Sequence, residues 1–556
     1  MSGEKARWTG AAAMAFVASL SCAGARQAPP PPSTTYVIRA DHWSPSDERE
    51  YRRFIADIGE SGCATVDACL HDLRNPYRGT DPPGTVFESD CADFPYVLRF
   101  YFAWKRGLPF SYESDVAPRG PAGDLRYDFL GNSVAGRTDV RGGVKSGYAI
   151  LDEMRDAVSS ATYRIDPGLE APYEQDFYSP AISPKSIRAG TMIYDPNGHV
   201  AVVWRVDPNG RIHYIDAHPD FTVTRGFYDL RFVRAFPGMG AGFKNWRPQR
   251  LVGAAKLPDG TFVGGRIVLA ANKDIPDFST EQYFGNGPRP ADDEDWSKGI
   301  FTLNKEKLDY YDFVRAEMAG GKLSFDPLRE VADMVDSNCS DLHYRVLAVD
   351  LAIQTGMNNL PEPDRLPPNI YGTEGDWETY STPSRDARLK TAFTELRDTV
   401  ARFMRMVRRH DKKLDYHGKD LAADMLAVYD RHAARCRVTY TRSDGSHVTL
   451  GYEQMRRRLF DMSFDPYQCV ERRWGATSGD EFAPCPDNTL KTAWYEAERG
   501  LRNQIDRTYE TPMDFTLAEL KTPGPGKGVP NPPDTDVRAY LISQMRGPGA
   551  GAETGF

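Results

Sequence analysis

Apolar residues recur along this chain at two different periods, and the alternation between them lays out its elements. Near the start, Tyr51, Phe54, Ile55 and Ile58 share one face of a helix expected over 47–58. A stronger helix is expected over 91–106, where Phe94, Val97, Leu98, Tyr101, Phe102 and Lys105 recur at helical spacing before Gly107 and Pro109 stop it. Pro95 fits only a first turn, which moves the regular helix one or two residues past Cys91. The period then shifts to two. Strands are expected over 191–194, 199–206 and 211–217, joined as a meander by two Asp-Pro-Asn-Gly turns at Asp195 and Asp207. Two more follow at 250–256 and 261–270. From about Trp296 the helical period returns. Leu389, Phe393, Leu396, Val400, Phe403 and Val407 form one stripe, and further helices are expected over 327–354, 419–436, 452–459 and 489–508. The many Arg and Lys residues on the other faces of the 389–407 stripe read as a solvated helix surface, with an acidic partner as the alternative. The fold class is therefore α+β: an N-terminal helix packed on an antiparallel sheet, then a mostly α-helical domain.

Segments without either period mark the boundaries. Residues 113–185 are rich in Gly, Pro, Asp and Tyr, and only 148–159 looks helical, so the rest reads as an insertion that shapes a cleft. Residues 1–25 read as an export signal, with Lys5 and Arg7 before an apolar core at 11–20 that is too short to span a bilayer. Two endings compete. Ala23-Gly24-Ala25 suits cleavage after Ala25, whereas Leu20-Ser21-Cys22 resembles a bacterial lipoprotein box, with Ser19 where leucine is usual. Four prolines, Pro29 to Pro32, make 26–35 a stiff linker. The expected division is an enzyme domain over 36–295, a helical domain over 296–521 and a disordered tail over 522–556.

Composition narrows the classes. Of the 556 residues, 40% are hydrophobic and 26% charged, and the net charge of −9 gives no electrostatic case for nucleic acid. The eight cysteines support export. Cys22 leaves with the signal or takes a lipid, Cys63 and Cys69 are close enough to close a small loop, and Cys339, Cys436, Cys469 and Cys485 allow two bridges of undetermined pairing. Cys91 is then the free thiol, as a nucleophile requires. The expected location is exported: periplasm, outer-membrane lipoprotein or secreted, with no spanning segment.

Candidate chemistry centres on Cys91, His199 and Asp216. A helix N-terminus and a nearby imidazolium both favour a thiolate, and Cys91 has the first feature. Its backbone amide, or a neighbour's, is placed to meet a developing oxyanion. If the second turn is centred on Pro208 and Asn209, Val206 pairs with Arg211 and His199 lies opposite His218. Strand alternation then puts Asp216 on the face of His199, one diagonal step away, and His213 on the opposite face. Asp216 is the expected orienting group, with His218 as the alternative third member. His213, Asp216 and His218 match no standard zinc spacing. No P-loop, dinucleotide fingerprint or nucleophile elbow occurs, so no metal or cofactor is expected.

In these residues the chain resembles papain-like cysteine enzymes, particularly the transglutaminase-like and NlpC-type cell-wall peptidase branches. One likeness is DCADFPYVLRFYFAWKRGLPF: a cysteine, an acidic residue two on, a long apolar helix and a Gly-x-Pro exit. The other is AGTMIYDPNGHVAVV, where Gly-His-Val opens a core strand. The resemblance covers roughly 86–236, and the gap from Cys91 to His199 is longer than usual for such a core. It implies a papain-like core and acyl transfer on an amide, with Cys91 as nucleophile, His199 as base and Asp216 as the third member. Peptidoglycan stem peptides or another peptide are the implied substrates. The rival expectation is a non-catalytic envelope protein that uses this scaffold for binding.

Overall fold

The computed structural model describes residues 34–545, apart from 122, 373–374 and 523. The expected signal at 1–25, Cys22 and the linker up to residue 33 lie outside the described residues. The protein is mixed α/β with an antiparallel sheet, and no helix of the described residues is long and apolar enough to cross a membrane.

An early helix, Pro45–Glu60, begins with a capping box in which Ser44 and Asp47 satisfy each other's backbone amides. The helix that follows Cys91, Asp93–Arg106, has every residue but the last buried, and it ends at Gly107 in the left-handed region (φ 66°). Its two interior cations are paired: Arg99 with Glu48 (2.5 Å) and Lys105 with Asp81 (2.6 Å). Strands β1 (Ser111–Pro118) and β2 (Asn132–Asp139) form a separate hairpin. A six-stranded sheet follows, built from β3 (Phe177–Tyr178), β4 (Met192–Asp195), β5 (His199–Val206), β6 (Ile212–Ala217), β7 (Val223–Phe227) and β8 (Gly242–Trp246). Its order is β3-β8-β4-β5-β6-β7, and all neighbours are antiparallel.

Alternation along these strands makes two cores. Met192, Tyr194, Val200, Val202 and Ile215 face the Asp93–Arg106 helix. Ile193, Ala201, Val203, Ile212 and Tyr214 face the other way, onto Phe301, Phe313 and Met318. The expected boundary at 296 therefore cuts through the layer that covers the sheet's second face. Beyond it, a third core joins the helices Pro327–Gln354, Pro383–Arg408 and Leu421–Arg435. This half also contains the hairpins Phe301–Leu303/Glu306–Leu308 and Arg437–Thr441/His447–Gly451. The Pro327–Gln354 helix packs against β7, so the helical half sits directly on the sheet.

Two further expectations need correction. Residues 113–185 are not loop apart from one helix, since β1 and β2 lie at their start, with a bulge around Asp115 and so many small and acidic residues that no clean alternation shows. The stretch from 522 is not wholly without structure. Val537–Met545 is a helix whose Val537 and Leu541 are buried in the helical core. The bridges are Cys63–Cys69, Cys339–Cys436 and Cys469–Cys485, and Cys91 is free.

Candidate active site

Cys91 lies in the turn that enters the Asp93–Arg106 helix. Two contacts fix this turn. The Asp90 carboxylate accepts the amides of Ala92 (2.8 Å) and Asp93 (3.0 Å), and the Tyr163 hydroxyl donates to the Ala92 carbonyl (2.7 Å). The Cys91 Sγ–H points at the Gly198 carbonyl (3.8 Å), the residue before His199.

His199 opens β5 opposite Asp195. The β5–β6 turn is one residue longer than its sequence suggests, because Val206 pairs with Ile212 rather than Arg211. A bulge between Val203 and Arg205 removes the extra residue, and Val202 pairs with Ile215. Continued to the strand end, that register sets His199 opposite His218 and Asp216 on the diagonal. The hydrogen bond confirms the geometry: His199 Nε2 lies 2.6 Å from Asp216 Oδ2. The Thr224 hydroxyl of β7 donates to the other oxygen, Oδ1 (2.5 Å). His218 makes no hydrogen bond to His199, but the two rings stack at 5.8 Å between centroids. His218 Nε2 is 3.0 Å from the Thr224 hydroxyl, and the His218 ring stacks on Tyr344 of the helical half, 4.0 Å between centroids. His213 points to the opposite face, where it meets Asp207 (3.0 Å).

Cys91, His199, Asp216 and His218 line one cavity of about 240 Å3 between the sheet and the helical half. Cys91 reaches it from the helix side of the sheet, whereas His199 and Asp216 share the parity of the opposite face. Cys91 and His199 therefore reach the cavity from the two sides of the sheet around the end of β5, and no hydrogen bond joins the sulfur to the imidazole.

Electrostatics at the cavity differ from the expected thiolate. Burial pushes the Cys91 thiol well above its ordinary range, and the carboxylates of Asp90, Asp93 and Asp216 push it further against the Val200 amide. Asp90 has already taken the amides at the helix start, which removes the stabilisation a thiolate would draw from them. Burial and then Arg388 lower the His199 pKa, and Asp216 opposes them without reversing the direction. Burial alone would raise Asp216, yet the His199 hydrogen bond and the charges of His218 and Arg388 hold it well below the usual carboxylate range. His218 is pushed down to about 3, chiefly by burial. The resting pair is thus a neutral thiol and a neutral imidazole beside a carboxylate.

Thr224, Tyr344, Arg385 and Arg388 also line this cavity or hold its groups, and no local sequence signal marks them. Arg385 and Arg388 precede the 389–407 stripe on the Pro383–Arg408 helix, and both face the cavity. Among the described residues, the group with metal-like spacing is Cys469, Cys485 and Asp487, and its two sulfurs form a disulfide. No protein-family model, curated protein or solved structure matches this chain.

Proposed function

We propose that the protein is an exported, cysteine-dependent acyl-transfer enzyme that cleaves or transfers an amide bond in peptidoglycan or another peptide, on a papain-like core. The observation that carries this reading is the 2.6 Å His199–Asp216 pair, opening on a cavity that the free Cys91 also lines. Asp216 occupies Nε2, so Nδ1 is the nitrogen left to receive the thiol proton. Because the resting thiol is neutral, His199 acts as a general base during attack rather than as the partner of a standing thiolate. Cys91 Sγ leaves the Gly198 carbonyl and bonds to the amide carbon as its proton passes to His199. The carbonyl electrons move onto oxygen, for which the Cys91 backbone amide is the proposed donor. Collapse of this intermediate expels the amine, which takes the proton back from His199. Water then attacks the thioester in a peptidase or amidase, and an amine attacks it in a transglutaminase.

The export reading is supported by the 1–25 pattern and by three disulfides, which persist in oxidising compartments: periplasm, outer-membrane lipoprotein or secreted protein. A second reading, a non-catalytic envelope binding protein, is favoured by the missing thiol–imidazole hydrogen bond. Incubation with peptidoglycan stem peptides and a panel of N-acyl dipeptide amides, followed by chromatography, separates the two. Product from the wild type that is lost in Cys91→Ala supports catalysis. Binding without product supports the second reading.

A further inference from the structure

The cavity that holds Cys91 is lined by five arginines, in a protein whose net charge is −9. Three of them are neutralised. Arg345 clamps Asp386 through two hydrogen bonds (2.8 and 2.9 Å), Arg126 meets Asp124 (2.7 Å) and Glu378 (2.6 Å), and Arg507 meets Asp195 (2.8 Å). The other carboxylates facing the cavity are also engaged: Asp90 with the Ala92 and Asp93 amides, Asp216 with His199, and Asp341 with Arg231 (3.2 Å).

Arg385 and Arg388 remain. Arg388 makes one hydrogen bond, to the Tyr214 hydroxyl (3.2 Å), and lies over the Phe232 ring at 5.0 Å. Arg385 makes no hydrogen bond or ion pair among the described residues and only approaches the Tyr344 ring, at 5.7 Å. They stand one turn apart on the Pro383–Arg408 helix. Arg385 is the third residue of that helix, where the macrodipole disfavours a cation, so helix stability does not account for it. Arg388 feels the charges of Asp216 and Asp195 but hydrogen-bonds neither, and Arg385 pairs with no carboxylate among the described residues, so the two half-buried guanidinium groups leave donors open that an anionic ligand would satisfy. Guanidinium groups match a carboxylate in geometry as well as charge.

We propose that Arg385 and Arg388 form a carboxylate-binding subsite, so that the amide processed at Cys91 carries a free carboxylate close to the scissile bond. This rests on the acyl-transfer reading of the same cavity. Substrates that end in a free acid or carry an acidic side chain beside the bond are the class it selects, and their neutral amides are disfavoured.

Two measurements separate this subsite from the chemistry. The first compares alkylation of Cys91 by iodoacetate and by iodoacetamide at low salt, followed by peptide mass mapping. In each, the sulfur bonds to the methylene carbon, iodide leaves and the thiol proton passes to base. Relative to a small free thiol, the iodoacetate-to-iodoacetamide rate ratio should rise by at least about tenfold, as expected for a charge-assisted contact. It should return to the free-thiol ratio in Arg385→Gln/Arg388→Gln and persist in Arg388→Lys, with thermal melting as the folding check. The second measures binding of N-acetylglycylglycine and of its C-terminal amide to the Cys91→Ala protein by saturation-transfer NMR, which needs no reactive thiol. Preference for the acid, lost in the double variant, supports the subsite even if Cys91 resists both reagents, an outcome that would overturn the catalytic reading alone. Absence of charge preference in both measurements overturns the subsite.

Discussion

If His199 is the base of the proposed reaction, Asp216→Ala separates its positioning from maintenance of the fold. The substitution removes the acceptor of His199 Nε2 (2.6 Å) and of the Thr224 hydroxyl (2.5 Å) at a position 2% exposed. Each donor left unpaired in a dry site costs about 1–3 kcal/mol, and relief of a buried carboxylate offsets part of that. The expected loss of stability is therefore about 2–4 kcal/mol, which lowers the melting temperature but leaves a folded protein. Turnover suffers separately. The imidazolium formed during proton transfer loses a charge-assisted hydrogen bond worth about 1.5–3 kcal/mol, or roughly 10- to 150-fold at 1.4 kcal/mol per decade. Lost ring orientation brings the total drop in kcat to about 10²–10⁴-fold. The pH profile gives a signature that general damage does not. In the wild type Asp216 opposes the downward pull of burial and Arg388 on His199. Without it the His199 pKa falls further, so the acid limb of kcat/KM moves to lower pH while the plateau drops. Steady-state kinetics across pH, with circular dichroism as control, read both effects. His213→Ala, on the opposite face, should leave both nearly unchanged. A folded Asp216→Ala enzyme within about threefold of wild-type turnover, or one whose acid limb stays put, refutes the assigned role.

Other expectations concern the scaffold. A Cβ at Gly59 would lie 2.3 Å from Trp204 Cγ, at the bulge that sets the β5–β6 register. Gly59→Ala should therefore destabilise by about 1–3 kcal/mol in urea titrations, although alanine normally improves a helix. Replacing Cys339 and Cys436 by alanine opens a 97-residue loop and should cost about 4–5 kcal/mol, read as a fall in the urea midpoint. Glu362 is 8% exposed, its oxygens meet no donor, and burial beside Asp465 and Glu498 raises its pKa from 4.5 to about 11. A folded pKa above the unfolded one contributes stability that is full below 4.5 and is lost as pH climbs toward about 11. Unfolding titrations should show stability falling over that range, and Glu362→Gln should flatten the fall.

Legibility in the sequence followed locality. Apolar periodicity placed the Pro327–Gln354 helix at its observed ends, and Pro95 moved the helix start one or two residues past Cys91, which includes the observed Asp93. Alternation along β5 and β6 brought Asp216 to His199, even though the turn between them is a residue longer than its Asp-Pro-Asn-Gly sequence suggests. The bulge at Trp204 that absorbs the difference depends on packing against Gly59, which lies 145 residues away and leaves no local mark. The same holds for the cover on the cavity. Arg385 and Arg388 look like any solvated pair on an amphipathic helix, and only the docking of that helix on the sheet turns them inward. The neutral thiol left no mark in the sequence because burial, set by long-range packing, raises it first, and the neighbouring carboxylates add to it. Cys91 stands at a helix start, but Asp90 holds the amides that would have favoured its thiolate.

Acid quenching during turnover of an amide substrate, followed by peptide mapping, shows whether Cys91 carries the acyl group. A hydroxylamine-labile acyl adduct is expected on the Cys91 peptide, absent in Cys91→Ala and slow to form in His199→Ala. Undiminished turnover by Cys91→Ala, or an acyl group on any other residue, would contradict it.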